Sequence, residues 1–149
     1  MEIERKFLVK SIPDLTGIIP VYIRQGYLKI ADPEERVREK RSAKGKSYVH
    51  TVKGGYGLCR SETETEISAE EFEKKWPLTK GHRVEKARYK IPYAGLIIEL
   101  DVYLNKLDGL HVAEVEFDSV EQAENFIPPE WFGRDVTNDA KYKNKNLAC

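Results

Sequence analysis

Cysteine is scarce in this chain: Cys59 and Cys149 are the two in 149 residues. That number builds no disulfide scaffold, and two lone thiols fit a reducing, intracellular setting. No apolar run approaches the length that spans a bilayer, and no secretory leader precedes the first strand. The cytoplasm is therefore the expected location. Excess charge of either sign is also missing, with Lys plus Arg and Asp plus Glu at 25 each. A neutral chain is not built for nonspecific adhesion to nucleic acid or to an anionic membrane. Paired metal-ligand spacing is absent among His50, His82 and His111. Gly45-Lys46-Ser47 imitates the end of a P-loop, but Lys40 stands where the first glycine belongs. No Ser or Cys nucleophile comes with a recognisable partner.

Charge itself is abundant, at 34% of residues, against about a quarter in ordinary domains. It is arranged with period two. Met1-Glu-Ile-Glu-Arg-Lys-Phe7 sets Glu2, Glu4 and Lys6 on one side of an extended strand, because successive side chains point to opposite faces. Alternation of this kind predicts strands over Glu2 to Val9, Val21 to Ile30, Arg36 to Arg41, Ser47 to Lys53, Leu58 to Ile67, Arg83 to Pro92, Leu96 to Leu104 and His111 to Phe117. Turns are expected at Asp32-Pro33 and Ser42 to Lys46, and a loop at Gly54 to Gly57. Ser68 and Glu71 open a helix of the capping-box kind that stops before Pro77, with Trp76 at its end. A second short helix covers Ser119 to Phe126 and is halted by Pro128-Pro129, near Trp131. The tail from Gly133 reads as a loop with a short helical turn. The whole is one α+β domain, residues 1–149, mostly antiparallel strand.

Same-sign pairs two residues apart recur along these strands. The acidic ones are Glu2/Glu4, Glu62/Glu64, Glu99/Asp101 and Glu114/Glu116. The basic ones are Arg36/Arg38, Lys86/Arg88 and Arg88/Lys90. Apolar residues interleave, such as Ile98, Leu100 and Val102, or Ala113, Val115 and Phe117. One such strand is an ordinary solvated face. A solvated face, however, mixes charges with Ser, Thr, Gln and Asn, and like charges side by side cost free energy unless something of opposite sign lies between them. Carboxylate pairs suit a hard divalent cation such as Mg²⁺ or Mn²⁺. Rows of Arg and Lys suit phosphate oxygens. A sheet curled shut around these rows would hold a charged lumen, stable only if the inner charges pair with each other, with metal and with a polyanion. Tyr22, Tyr27 and Tyr103 are lumen or core, and spacing does not decide which.

The order of these motifs resembles that of CYTH-domain proteins, also called triphosphate tunnel metalloenzymes. Glu2, Glu4 and Lys6 match the Glu-x-Glu-x-Lys signature, and Gln25 to Leu28 the Gln-Gly-Tyr-Leu strand. Arg36 and Arg38, Thr51 to Lys53, and Arg60, Glu62 and Glu64 match the next three motifs. Lys86, Arg88 and Tyr89, then Glu99 and Asp101, then Glu114 and Glu116 follow in order. Val136, Thr137, Asp139, Tyr142 and Asn144 match the closing pieces.

The resemblance implies an eight-stranded antiparallel β-barrel, a tunnel with a few short flanking helices, that binds a small-molecule triphosphate with Mg²⁺ or Mn²⁺. Nucleic acid and membrane are not implied as partners, and a homodimer is allowed. It implies phosphate contacts from Arg36, Arg38, Lys53, Lys86, Arg88 and Lys141. Lys40 competes with Arg38 for its place, and Lys143 with Lys141. Glu2, Glu4, Glu114 and Glu116 would hold metal, while Glu62, Glu64, Glu99 and Asp101 would position a second metal or balance the basic rows. Lys6, Glu4 and Glu64 are the candidate catalytic residues. The activity most strongly implied is hydrolysis of inorganic triphosphate, with nucleoside triphosphates as further substrates. The alternatives are an adenylate cyclase of class IV type and a binding module for polyphosphate or nucleotide without catalysis.

Overall fold

A computed structural model describes residues 3–31, 33–56 and 59–149, with side chains for all of these except 55, 56 and 59–61. The expectations placed on Glu2, Asp32, Gly57 and Leu58, and on the Arg60 side chain, lie outside the described residues. The strands are β1 (Ile3–Val9), β2 (Val21–Lys29), β3 (Glu34–Ser42), β4 (Gly45–Tyr56), β5 (Cys59–Glu66), β6 (Arg83–Tyr93), β7 (Leu96–Tyr103), β8 (His111–Phe117) and β9 (Phe132–Asp135). The helices are α1 (Ala69–Lys75), α2 (Val120–Glu124) and α3 (Asn144–Leu147). The sheet order is β5-β4-β3-β2-β6-β7-β8-β1-β9. Two compact units divide the chain: Met1–Pro20 with Ala87–Ala140, and Val21–Lys86 with Lys141–Cys149.

Three expectations change. Nine strands form among the described residues, not eight, because part of the supposed terminal loop pairs with β1 as β9. Its four residues include Gly133, Arg134 and Asp135, so no apolar alternation announces it. The turn after Arg41 shrinks to Ala43-Lys44, with Ser42 paired to Gly45. Strand β3 therefore keeps Arg36, Arg38 and Lys40 in one row. Finally, β4 runs on through Gly54-Gly55-Tyr56, where glycine predicts a loop but the ladder to β5 continues, Gly54 facing Ser61 and Tyr56 facing Cys59. Pairing overrides the low strand propensity of glycine there.

In the unit built on β1, β7, β8 and β9, alternation sorts the side chains cleanly. Phe7, Ile98, Ala113, Val115, Phe117, Ala123 and Phe132 form one buried cluster on the α2 side. Phe126 ties it together, lying 5.3 Å from Phe117 and 6.1 Å from Phe7 between ring centroids. Each large side chain so buried contributes roughly 1.5–3 kcal/mol. Helix α2 is capped by Ser119, whose Oγ accepts from the Gln122 N–H at 3.1 Å.

In the unit holding β2 to β5, Phe72 of α1 is fully buried between Tyr48 and Trp76, at 5.2 and 5.4 Å. Arg24 lies over both Phe72 and Trp76 and forks onto Glu39 at 2.9 and 3.1 Å. Ser68 caps α1 through the Glu71 N–H at 3.0 Å, as its sequence position predicts. Strand β2 presses against the turn after α1 at Gly26, where a Cβ would lie 2.4 Å from Thr79 Oγ1. Thr79 cannot give way, because its hydroxyl donates to the Trp76 carbonyl at 2.7 Å and accepts from Arg83 Nε at 3.0 Å. Gly26→Ala should therefore cost about 1–3 kcal/mol by overpacking. Thermal denaturation checks this, and an unchanged midpoint would show that the contact yields.

Candidate active site

The first unit carries an ionic row on the face opposite its core. Register places Glu4 against Glu116 and Lys6 against Glu114 in the β1–β8 pair, and Glu99 against Glu114 in the β7–β8 pair. Each pairing brings side chains of one face within reach of each other. Lys6 Nζ lies 3.2 Å from Glu114 Oε1. Glu4 and Glu116 are exposed. On the same face, Arg88 of β6 forks onto Asp101, Nε to Oδ1 at 2.8 Å and Nη2 to Oδ2 at 3.0 Å. Its Nη1 stands 3.4 Å from Glu99. The Arg88 and Asp101 side chains are 13% and 1% exposed. Burial works against the Arg88 charge, but the bonds to Asp101 outweigh it and hold the guanidinium charged above its ordinary range.

One guanidinium thus engages both Asp101 oxygens, the arrangement of a counter-charge. The fork likewise commits two of the three Arg88 nitrogens to protein.

The second unit carries a basic row. Tyr27 faces Arg36, which faces Thr51, which faces Glu64; Gln25 faces Arg38, which faces Val49. Lys53 lies opposite Glu34 and Glu62. Arg36 Nη1 is 3.5 Å from Glu34. Its Nε is buried and meets no acceptor among the described residues. The Nε of Arg38 is buried too. Lys86 is 2% exposed, a rare position for an ammonium. Lys53 and Glu62 are 3.9 Å apart and about two-fifths exposed, a pair worth little in stability. Glu64 and Lys141 are exposed, and Lys141 Nζ sits 5.5 Å from the Tyr142 ring. Lys143 is exposed as well.

Among the described residues, no three His, Cys, Asp or Glu side chains are already gathered as a metal cage. The acidic row nevertheless offers carboxylate oxygens only, the donor type that hard divalent cations take. A cleft of about 610 Å³ near α2, lined by Tyr93, Leu96, Gln122 and Phe126 among others, contains none of the ionic row. It is not where this chemistry would occur.

No family model matches the chain. An inorganic triphosphatase of Nitrosomonas europaea is 47% identical over 149 residues, covering 99% of this chain and 96% of that protein. The chain belongs to the inorganic triphosphatase family. An inorganic triphosphatase of Acetivibrio thermocellus is 37% identical over 148 residues, covering 98% and 92%. The crystal structure of an inorganic triphosphatase superposes with a TM-score of 0.80 at 44% identity, over 99% of this chain and 94% of that one.

For a chain of the inorganic triphosphatase family, two residues of the basic row stand out that spacing alone left undecided or unassigned. Tyr27 is 2% exposed and its hydroxyl accepts from Gln25 Nε2 at 2.8 Å. Burial pushes the Tyr27 hydroxyl above its usual range, with the Arg36 charge opposing. Gln25 is buried beside it. Their signal in the sequence is parity: both lie on the β2 face that pairs with Arg36 and Arg38. Tyr103 is buried too and continues the Glu99/Asp101 row, while Tyr22 is exposed. Trp76 meets Phe72 and Arg83, and Trp131 meets Phe132, so both pack against structure, Trp76 at the end of α1.

Proposed function

We propose that this chain is a divalent-metal-dependent triphosphatase that hydrolyses the terminal phosphoanhydride of inorganic triphosphate. The observation that carries the reading is the buried Arg36 Nε–H without an acceptor among the described residues, in a row with Arg38. A buried donor left unpaired costs about 1–3 kcal/mol. An anion with several oxygens removes that cost, and a guanidinium fork matches phosphate. Family membership over the whole chain supports the same substrate class. We read the domain as of CYTH type on the order of the motifs.

Arg36, Arg38 and Lys53 would bind phosphate oxygens, with Lys86 as a further ammonium and Lys141 as an outer contact. Arg88 acts mainly as the partner of Asp101. Glu4, Glu114 and Glu116 would hold the metal, with Glu2 as a further carboxylate. A bound Mg²⁺ or Mn²⁺ supplies charge neutralisation on the phosphate oxygens and lowers the pKa of water. Lys6 neutralises charge developing on the leaving oxygen. Glu4 is the first candidate for orienting the attacking water, and Glu64 is kept as a separate candidate for that role. Phosphoryl transfer asks mainly for positioning and charge stabilisation, so fixed ionic rows suffice.

No helix among the described residues is long and apolar enough to cross a membrane. Cys149 is an exposed free thiol, and we keep the cytoplasm as the proposed compartment.

The test is phosphate release from tripolyphosphate and from ATP, with Mg²⁺ and with Mn²⁺, products separated by chromatography. Faster turnover of tripolyphosphate is expected. Cyclic AMP as the main product would replace the reading by a cyclase. Tight binding of triphosphate without release, under both metals, would replace it by a binding module.

A further inference from the structure

The polar groups of the Lys6 backbone are gripped from the β9 side in an unusual way. The Lys6 carbonyl accepts from the Val136 N–H at 2.8 Å, an ordinary main-chain bond. The Lys6 N–H, however, donates to a side chain, Thr137 Oγ1, at 3.0 Å. That hydroxyl in turn donates to Asp135 Oδ1 at 2.5 Å, and the Thr137 N–H also donates to Oδ1 at 2.8 Å. The other Asp135 oxygen accepts from Arg5 Nε and Nη2 at 3.2 and 3.0 Å. Arg5 in turn donates from Nη1 to the Ala123 carbonyl in α2 at 2.9 Å.

From this chain of bonds we infer that Thr137 and Asp135 are positioning residues for the candidate catalytic ammonium of Lys6, a reading that rests on the proposed triphosphatase activity. Neither would touch substrate. They act through the β1 backbone, fixing where Lys6 leaves the strand on its way to Glu114. Bonds to a charged carboxylate are the stronger kind, and linked donors polarise one another. The β1–β9 register shifts between Phe7 and Val9, so the regular ladder loosens next to Lys6. A side-chain clasp at that place restores what the ladder gives up.

The chain contains its own control. Asp14 and Thr16, in the segment after β1, repeat the motif: the Thr16 N–H and hydroxyl donate to Asp14 Oδ1 at 3.0 and 2.6 Å. Among the described residues, that pair holds no strand amide. Same chemistry and same spacing thus occur once with a strand attached and once without.

The experiment uses the full-length protein in four forms: wild type, Thr137→Val, Thr137→Ser and Thr16→Val. Valine keeps the shape of threonine and removes the hydroxyl. Four quantities are read: kcat and KM on tripolyphosphate, the melting temperature, and hydrogen exchange of the Lys6 amide by NMR. For T137V we expect kcat to fall about 10- to 100-fold, as when a supporting hydrogen bond to a working group is lost. KM should stay nearly constant and Lys6 exchange should quicken. T137S should restore both kcat and protection, and T16V should leave both as in wild type. Wild-type kcat and slow exchange in T137V would overturn the inference. So would a loss that T137S fails to restore. Should wild type release no phosphate at all, the functional reading falls, and Lys6 exchange alone then judges the clasp.

Discussion

Lys6→Ala and Glu4→Gln are each expected to lower phosphate release from tripolyphosphate by about 10²–10³-fold, the usual loss when one fixed charge is taken from a transition state. Folding should survive both changes. Glu4 is exposed, and Lys6 lies on the face of β1 turned away from Phe7. The two variants should differ in one respect. Loss of Glu4 removes a proposed metal carboxylate, so part of its deficit should be recovered by raising Mg²⁺ or Mn²⁺. Loss of Lys6 should resist that treatment. Initial rates across a metal titration separate the cases, and near wild-type rates in both would defeat the assignment of the row.

The second large effect concerns stability. Asp101→Asn leaves the buried Arg88 with a neutral partner. Breaking a buried pair by one side costs about 3–5 kcal/mol, and Glu99, 3.4 Å from Nη1 and itself 31% exposed, offsets only part of that. For a chain of this size that is a fall in Tm on the order of 10 °C. Replacing both residues together by apolar ones, Arg88→Met with Asp101→Leu, should recover much of the loss, because the desolvation cost disappears with the charges. Thermal melting of the single and double variants measures it. The metal requirement of Asp101→Asn should stay as in wild type if the carboxylate is a counter-charge. A melting point unmoved in D101N would show that the fork contributes nothing.

Period-two spacing carried most of the fold and the outline of the candidate site into the sequence. Glu4 with Lys6, Arg36 with Arg38, and Glu114 with Glu116 are visible because a strand turns every second side chain to one face. What the sequence hid depends on partners far along the chain. The Arg88–Asp101 fork looks, in one dimension, like one member of a basic pair and one of an acidic pair. Only the neighbouring of β6 and β7 turns them into each other's counter-charge. Strand β9 looks like loop in the sequence because Gly133, Arg134 and Asp135 lack β-favouring side chains. It forms because β1 offers an edge, and because Phe132 packs on Phe7 with ring centroids 4.8 Å apart. Thr137 belongs to a closing motif, yet nothing local tells that its hydroxyl takes the amide of a residue 131 positions away. Buried Tyr27 is ambiguous in sequence for the same reason, since tyrosine suits core and polar faces alike until its neighbours are known.

The interleaving along β1 has an evolutionary consequence. Ionic Glu4 and Lys6 alternate with Phe7 and Val9, which pack in the core. Adding or deleting one residue in this strand would swap the two sets, driving charge into hydrocarbon and oil into the ionic row. Insertions there can therefore be tolerated only in even steps, or where a bulge absorbs the odd residue. Descendants of this chain are free to vary in their connecting loops, while the strand that bears Lys6 is locked in phase.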